Sequence, residues 1–319
     1  MTTDWVERLL GGDELAASKL ISLVENKSPQ VPEIMRQIHP HTGSAAILGF
    51  TGPPGVGKSS LVDQFIYIAC AKNLRVGVLA IDASSPYTGG ALLGDRIRFG
   101  DYSGNDGVYI RSMGTRGHLG GLAQASRGAI RILDALGCDL VLVETVGVGQ
   151  IELDIVKEVD TVVVVTMPGS GDYVQTMKAG IMEIADVFAV NKSDLPGADL
   201  AYSELVRFLH MAHKDSAWLP QVVSTCATKG EGLKELWTAA EAHREFLLQE
   251  DRISRRRKEQ VKGEIEDLVL CRLKDDFWNI GWHGQRIQEV IDKVYARELD
   301  LYSARDEIVA QIVEEIKKI

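Results

Sequence analysis

Short, almost wholly apolar runs alternate in the middle of the chain with longer stretches whose apolar residues recur every three or four positions. The short runs have the length of buried strands, and the longer stretches have the spacing of helices. Apolar strands that alternate with helices indicate an α/β fold, in which a mostly parallel sheet is covered on both faces. The pattern predicts strands at Ala46–Phe50, Val76–Ile81, Val108–Arg111, Leu140–Glu144, Thr161–Thr166, Val187–Asn191 and Val222–Thr225.

Helical patterning continues on both sides of this core. Residues 2–38 predict short helices that are broken at Pro29, Pro32 and Pro40, and residues 233–319 are rich in charge and free of proline. Apolar residues keep near-helical spacing from 246 to 277, which is too long a stripe for one compact domain to bury, so we expect a dimer contact or partner surface there. The sequence therefore predicts a helical N-terminal extension at 1–42, a central domain at 43–238 and a helical C-terminal arm at 239–319.

The first strand is followed by a glycine-rich loop that opens a helix. In a loop of this kind, backbone N–H groups and the helix N-terminus cradle phosphate oxygens. A lysine at the start of the helix brings positive charge to the β- and γ-phosphates, and the serine after it can bind Mg²⁺. The pattern is a P-loop and predicts a nucleoside-triphosphate site made of Gly52, Pro53, Pro54, Gly55, Val56, Gly57, Lys58, Ser59 and Ser60.

Acidic residues follow two other strands. Asp82 comes after the second strand, and Glu144 ends the fourth. Because ligands of a parallel sheet lie beyond the carboxyl ends of its strands, both acids are predicted to face the P-loop. Asp82 suits direct or water-mediated Mg²⁺ coordination, and for Glu144 we favour a metal role over orienting the attacking water. Gly147, three residues past Glu144, can donate its N–H to the γ-phosphate.

The sixth strand runs into Asn191-Lys192-Ser193-Asp194. An aspartate at the end of such a motif accepts hydrogen bonds from the N1–H and the exocyclic amine of guanine, which adenine cannot supply. Asp194 is therefore predicted to select guanine, with Asn191 and Lys192 in the same motif. A weaker signal follows the last strand, where the segment at Cys226, Ala227 and Thr228 can present a backbone N–H to guanine O6.

Composition narrows the classes of partner. The 319 residues carry a net charge of −10, which argues against a nucleic-acid partner because no broad cationic field would steer one. The one basic cluster, Arg255–Lys258, is expected to be a solvated helix face. No apolar run reaches membrane-spanning length, the N-terminus does not resemble a signal peptide, and the four cysteines form no CxxC pair. We expect a cytoplasmic protein without a membrane partner.

Taken together, the motifs resemble the MeaB/ArgK/MMAA group of P-loop GTPases, which are chaperones of adenosylcobalamin-dependent acyl-CoA mutases such as methylmalonyl-CoA mutase. The resemblance covers nearly the whole chain and rests on the strings GPPGVGKSS, DxSSPxTGGxLLGDRxR, ETVGVGQ, MPGSGDxxQxMKxGI and NKSD. Two positions depart from the family pattern. Ala83 stands where a proline is usual, and Cys226 stands where a serine is usual.

The resemblance implies a SIMIBI-like P-loop GTPase domain and a homodimer formed through the C-terminal arm. It implies GTP or GDP as the ligand, a catalytic set of Lys58, Asp95 and Glu144, and Arg98 reaching toward phosphate from the first switch. Gly169, Asp172 and Lys178 fall in a loop that resembles an additional switch relaying the nucleotide state to the mutase. The Mg²⁺ ligands implied are Ser59, Asp82, Asp95 and Glu144.

The resemblance also implies the biological role. Members of the group act in loading the cofactor and in protecting or reactivating the mutase, and an adenosyltransferase is a further candidate partner. Two other functions compete. A P-loop kinase acting on a small metabolite would need an acceptor pocket with a base, which the sequence does not clearly supply. A metallochaperone for nickel enzymes would carry His-rich or Cys-paired sites, which this sequence lacks.

Overall fold

The computed structural model describes residues 2–82, 107–114, 119–145, 157–169, 181–213, 216–280 and 285–316. The chain divides into two compact units, Met1–Arg257 and Lys258–Ile319. The three-part division expected from the sequence stays a prediction. None of the helices in the described ranges combines the length and the apolarity that crossing a bilayer requires.

The first unit is built around a parallel sheet that has seven strands in the described part of the chain. The strand order is β3-β2-β4-β1-β5-β6-β7, and every neighbouring pair is parallel. The α/β fold with a mostly parallel sheet is thus confirmed, and each predicted strand forms. The strands are β1 Ala46–Thr51, β2 Val76–Asp82, β3 Val108–Gly114, β4 Leu140–Thr145, β5 Thr161–Thr166, β6 Val187–Val190 and β7 Gln221–Ser224.

Helices cover both faces of this sheet. Because side chains alternate along a strand, Val141 and Val143 of β4 join one apolar cluster and Leu142 joins the other. The first cluster includes residues of α1–α3, α5 and α7, and the second includes residues of α4 and α8. The helices of the first unit are α1 Thr2–Leu10, α2 Glu14–Glu25, α3 Val31–Ile38, α4 Lys58–Ala71, α5 Leu119–Ala135, α6 Ile181–Ile184, α7 Ala198–Ala212 and α8 Leu233–Leu248.

Aromatic packing holds α4, the helix that follows the P-loop, between the sheet and α8. Phe65 lies edge-on to Phe50 of β1, with ring centroids 5.0 Å apart, and its ring lies 5.2 Å from that of Trp237 on α8. Phe50 and Phe65 are fully buried. Burying one such side chain contributes about 1.5–3 kcal/mol, so the position of α4 is strongly determined.

The N-terminal helices form as the sequence predicts, with one difference, and their apolar residues join one of the clusters on the sheet. Asp13 caps α2 by accepting hydrogen bonds from the N–H groups of Leu15 and Ala16, at 2.8 and 3.3 Å. Pro32 does not break a helix but stands in the first turn of α3, where its missing N–H is no loss. At the sheet edge, Arg111 of β3 forms an ion pair with Glu25 of α2.

Helices also make up the C-terminal part, but the apolar stripe expected from residue 246 is not continuous. A 3₁₀ turn at Gln249–Asp251 ends α8, and Glu250 and Asp251 take left-handed φ values of 52° and 59°. Phe246 therefore belongs to α8 and not to the helix that follows. The remaining helices are α9 Arg252–Ile280, α10 Gln285–Tyr295 and α11 Leu301–Ile316, and from Lys258 onward they belong to the second unit.

The expectation that Arg255–Lys258 is a solvated face is wrong for two of its residues. Arg256 donates from both terminal nitrogens to Asp186, at 3.2 and 2.9 Å, and Arg257 makes a two-point contact of 2.9 and 2.7 Å with Asp160. The side chains of Asp160 and Asp186 are only 5% and 12% exposed. Buried carboxylates need positive partners, and these two arginines supply them.

Candidate functional site

The loop between β1 and α4 takes a conformation that only glycine allows at several positions. Gly52, Gly55 and Gly57 have φ values of 134°, 76° and 97°. A Cβ atom on Gly52 would collide with the carbonyl oxygen of Val165 in β5, and one on Gly57 would collide with the side-chain amide of Asn191. The loop therefore lies directly against the ends of β5 and β6, where the sequence predicts the phosphate site.

Lys58 is the first residue of α4, and it is buried within the loop. Its ammonium donates hydrogen bonds to the carbonyl oxygens of Gly52, at 2.7 Å, and Pro53, at 2.9 Å. Only 5% of the residue is exposed. A buried positive charge at the N-terminus of a helix is an arrangement that favours phosphate.

The structure brings together two of the residues predicted to bind Mg²⁺. The Ser59 hydroxyl donates to a carboxylate oxygen of Glu144 at 2.6 Å. Glu144 lies on β4 opposite Phe50 of β1 on one side and Ala80 of β2 on the other. Asp82 ends β2 at the same edge of the sheet.

These two groups fit a magnesium site. A serine hydroxyl and a carboxylate are hard oxygen donors of the kind that Mg²⁺ prefers, and such sites usually take their other ligands from water and phosphate. Within the described ranges, no group of three or more histidine, cysteine, aspartate or glutamate side chains comes together to hold a metal ion.

Asn191 ties the P-loop to the loop after β7. Its side-chain amide donates to the carbonyl of Val56 at 2.8 Å. Its side-chain oxygen accepts from the Thr225 hydroxyl and from the N–H of Ala227, both at 3.2 Å. The Ala227 N–H, expected to face guanine O6, thus contacts Asn191 here.

Lys192 makes a second link between the same loops. It takes a left-handed φ of 56°, and its ammonium donates to the carbonyl of Gly55 at 2.7 Å. The predicted phosphate and guanine motifs are therefore in direct contact through two consecutive residues of one strand end.

Asp194 lies beside the turn that follows β7. One of its oxygens accepts from the Cys226 thiol at 3.4 Å, and the other lies 3.3 Å from the ammonium of Lys229. The hydrogen bond from the Cys226 thiol, together with Lys229, holds the pKa of Asp194 below its usual value. The contact with Asp194 in turn raises the pKa of Lys229. Thr228 lies within 3.5 Å of the Cys226 sulfur.

Several predicted site residues lie outside the described residues, namely Asp95, Arg98, Gly147, Asp172 and Lys178. Gly169 is described, just beyond β5, with a φ of 73°. Thr225, which opens the Thr225–Thr228 segment that the sequence singles out after the last strand, is fully buried. Lys229 was not indicated as functional, because nothing in the sequence pattern distinguishes it from other exposed lysines.

A phosphate loop between the first strand and its helix, at the carboxyl edge of a parallel sheet, defines a P-loop nucleoside-triphosphate-binding protein. The family model described as methylmalonyl-CoA mutase-associated GTPase MeaB matches residues 17–281. The chain belongs to this MeaB family of GTPases, and it hydrolyses GTP. The family resemblance inferred from the sequence motifs is therefore confirmed.

Individual relatives agree with this assignment. A putative GTPase of Pyrococcus abyssi is 49% identical over 98% of this chain and 97% of its own length. The GTPase ArgK of Escherichia coli is 33% identical over 85% of this chain and 86% of its own length. A solved structure of a LAO/AO transport system kinase covers 98% of this chain and 97% of its own, with a TM-score of 0.75 and 24% identity, a likeness that shows the fold alone.

Proposed function

We propose that this GTPase is a chaperone of an adenosylcobalamin-dependent acyl-CoA mutase of the methylmalonyl-CoA type. In this role it gates loading of the cofactor and protects or reactivates the mutase. The observation that carries the proposal is the match to a mutase-associated GTPase family over residues 17–281. A cytoplasmic location stays a prediction.

The described residues support a guanine nucleotide bound at the carboxyl edge of the sheet. The P-loop backbone and Lys58 would hold the phosphates, and Ser59 and Glu144 would hold Mg²⁺, with Asp82 and Asp95 as further candidates. When bound, the metal would neutralise charge on the phosphate oxygens. The proximity of Ser59 to Glu144, at 2.6 Å, supports this pairing.

Asp194 would read the base. Its carboxylate is ionised, because the Cys226 thiol and Lys229 hold its pKa below the usual value. An ionised carboxylate accepts hydrogen bonds and does not donate, which suits the two donors of guanine and rejects the acceptor that adenine offers at N1. Asn191 and Lys192 would hold Asp194 at a fixed position relative to the phosphate loop through their hydrogen bonds to Val56 and Gly55.

We further propose that hydrolysis by the isolated chain is slow and that the mutase accelerates it. The candidate coupling element is the loop containing Gly169, Asp172 and Lys178, with Arg98 acting from the first switch. GTPases with incomplete sites depend on a partner to position a missing group, and the gain can reach several orders of magnitude. A homodimer through the C-terminal arm and an adenosyltransferase partner belong to the same proposal.

The exposed apolar residues of α9 support a partner surface on the C-terminal arm. Val261, Ile265, Leu268 and Leu273 are between 42% and 56% exposed within the second unit. Exposed apolar side chains gathered on one helix are a feature of surfaces that contact another chain. A second copy of this chain is the occupant we propose.

Co-purification tests the proposal most simply. Tagged candidate mutases would be mixed with the full chain in the presence of GDP or of a non-hydrolysable GTP analogue. The proposal expects capture by a methylmalonyl-CoA-type mutase that differs clearly between the two nucleotides. Capture by no mutase in either nucleotide state would contradict it, while GTP hydrolysis measured in parallel would show that the enzyme itself is intact.

A further inference from the structure

The turn that follows β7 is held rigidly by its own backbone. Cys226 and Glu231 exchange hydrogen bonds of 3.0 and 3.2 Å between their backbone groups, and the N–H of Lys229 donates to the carbonyl of Cys226 at 3.0 Å. Gly232 has a φ of 71°, and a Cβ atom there would collide with the carbonyl of Ser224. Side chains that leave this turn therefore start from a fixed backbone.

Two of these side chains contact opposite oxygens of the same carboxylate. The Cys226 thiol donates to Oδ1 of Asp194 at 3.4 Å, and the Lys229 ammonium lies 3.3 Å from Oδ2. A thiol is a weak donor, so the ammonium is the stronger of the two partners. Lys229 is half-exposed and Asp194 is one-third exposed, which leaves part of the carboxylate open to a ligand.

A carboxylate offers about four lone-pair sites, two on each oxygen. The turn occupies one site on each oxygen, and the backbone N–H of Asp194 also interacts with the carboxylate. Guanine presents two donors side by side, the N1–H and the exocyclic amine, so the direction in which the remaining lone pairs point decides whether the carboxylate can accept from both.

We propose that Lys229 is a positioning residue that sets the rotation of the Asp194 carboxylate, so that its open lone pairs face the guanine base. Lys229 acts through Asp194 and need not touch the nucleotide. The inference rests on the proposed reading of guanine by Asp194.

The competing interpretation is an ordinary surface ion pair. Exposed pairs are worth little, and many contribute nothing measurable. A pair that only adds stability would leave the choice between bases unchanged. A pair that orients the carboxylate would change that choice, because a rotated carboxylate misaligns two hydrogen bonds to guanine but only one to hypoxanthine, which lacks the amine.

The experiment compares affinities for GDP, IDP and ADP by calorimetry in the wild type, Lys229→Met and Lys229→Arg. Lys229→Met should weaken GDP binding about threefold to fivefold, on the scale of an exposed charged pair, and IDP binding by less. Lys229→Arg should restore GDP affinity to within about twofold, because a guanidinium can reach the same oxygen. The loss in Lys229→Met should shrink at high salt, where the pair is screened.

Lys234→Met is the matched control, because Lys234 is an exposed lysine on the neighbouring helix α8. It should leave both affinities unchanged, and melting curves should show that all variants are folded. Equal losses for GDP and IDP in Lys229→Met, or no loss at all, would overturn the proposal. A wild type that binds ADP as tightly as GDP would instead refute the reading of guanine by Asp194.

Discussion

The two edges of the sheet both carry buried charged groups, but they arrange them differently. At the carboxyl edge, Lys58 lies in a glycine loop and Ser59 meets Glu144 across the gap between α4 and β4. At the amino edge, Asp160 and Asp186 stand just before β5 and β6, and each is held by an arginine and by a backbone N–H.

We infer from this difference that the carboxyl edge serves function and the amino edge serves stability. Carboxylates at the amino edge are enclosed by fixed donors, so that their interactions are satisfied within the chain. Groups at the carboxyl edge lie at a strand end, at the start of α4 and on loops that meet at one place, where a ligand could contact several of them. The same residue types are thus proposed to bind a nucleotide at one edge, whereas at the other edge they fasten helices to the sheet.

The largest effect should come from removing a buried carboxylate at the amino edge of the sheet. Asp160→Ala leaves Arg257 without its carboxylate and removes the acceptor of the Ile47 N–H. We expect a loss of about 3–5 kcal/mol in the free energy of unfolding, the range for removing one partner of a buried pair. Urea denaturation measures this, and GDP affinity of the folded fraction should stay within about twofold of the wild type. If the variant is as stable as the wild type but has lost GDP affinity, Asp160 serves nucleotide binding and not stability, which would contradict the roles inferred for the two edges.

As the pH falls, protonation at the amino edge should lower the free energy of unfolding before base selection by Asp194 changes. His243 is a buried residue of α8, and its Nε2 atom lies 3.2 Å from a carboxylate oxygen of Asp186. Burial lowers the pKa of His243 to about 4, against the opposing effect of Asp186. The histidine is therefore neutral when folded but takes up a proton near pH 6.5 when unfolded. Its contribution is fully present above about pH 6.5 and is lost as the pH falls from there toward 4, at a cost of about 2–3 kcal/mol.

Unfolding free energies of the wild type and His243→Gln across pH 4–7.5 measure this loss. The variant should show a flatter profile over that window. Base selection should change little over the same window, because the pKa of Asp194 lies below its usual value. A wild-type profile as flat as that of the variant would contradict the role of His243.

The next prediction tests base selection by Asp194 at the carboxyl edge. Asp194→Asn replaces a carboxylate that accepts two bonds with an amide that also donates. GDP affinity should fall about tenfold to a hundredfold, as expected for bonds to a charged group, and xanthosine diphosphate affinity should rise. Competition binding of both nucleotides checks this, with Asp199→Asn, on the exposed start of α7, as the matched control. An unchanged preference for GDP over xanthosine diphosphate in Asp194→Asn would show that Asp194 does not select the base.

The least direct effect concerns coupling to the mutase. Lys178→Ala should leave the basal hydrolysis rate nearly unchanged and blunt the acceleration by the mutase, a coupling loss of about 1–3 kcal/mol. Hydrolysis with and without mutase measures it for both proteins. If the mutase accelerates the variant as fully as the wild type, the loop at 169–178 is only a connection and coupling runs through the first switch.

The same contrast explains what the sequence could predict. The strands and the P-loop were predictable because each is a local pattern, an apolar run or a glycine motif within a few residues. The contact of Asn191 with the P-loop was predictable because strand ends of a parallel sheet meet at one edge.

Contacts between distant residues were not predictable in this way. Arg256 and Arg257 look like a solvated basic cluster, and their partners Asp186 and Asp160 stand 70 and 97 residues earlier. No periodicity links those positions, so their burial follows only from how α9 begins against the sheet. Lys229 is similar, because its contact with Asp194 depends on the closed turn that carries it.

Calorimetric titration of the wild-type chain with GDP and with ADP, in Mg²⁺ buffer, tests the central claim most directly. If the carboxyl edge is a guanine-nucleotide site read by Asp194, GDP should bind at least about a hundredfold more tightly than ADP, as expected when a site built for specific donors meets a base that lacks them. Equal affinity for the two nucleotides would contradict the claim.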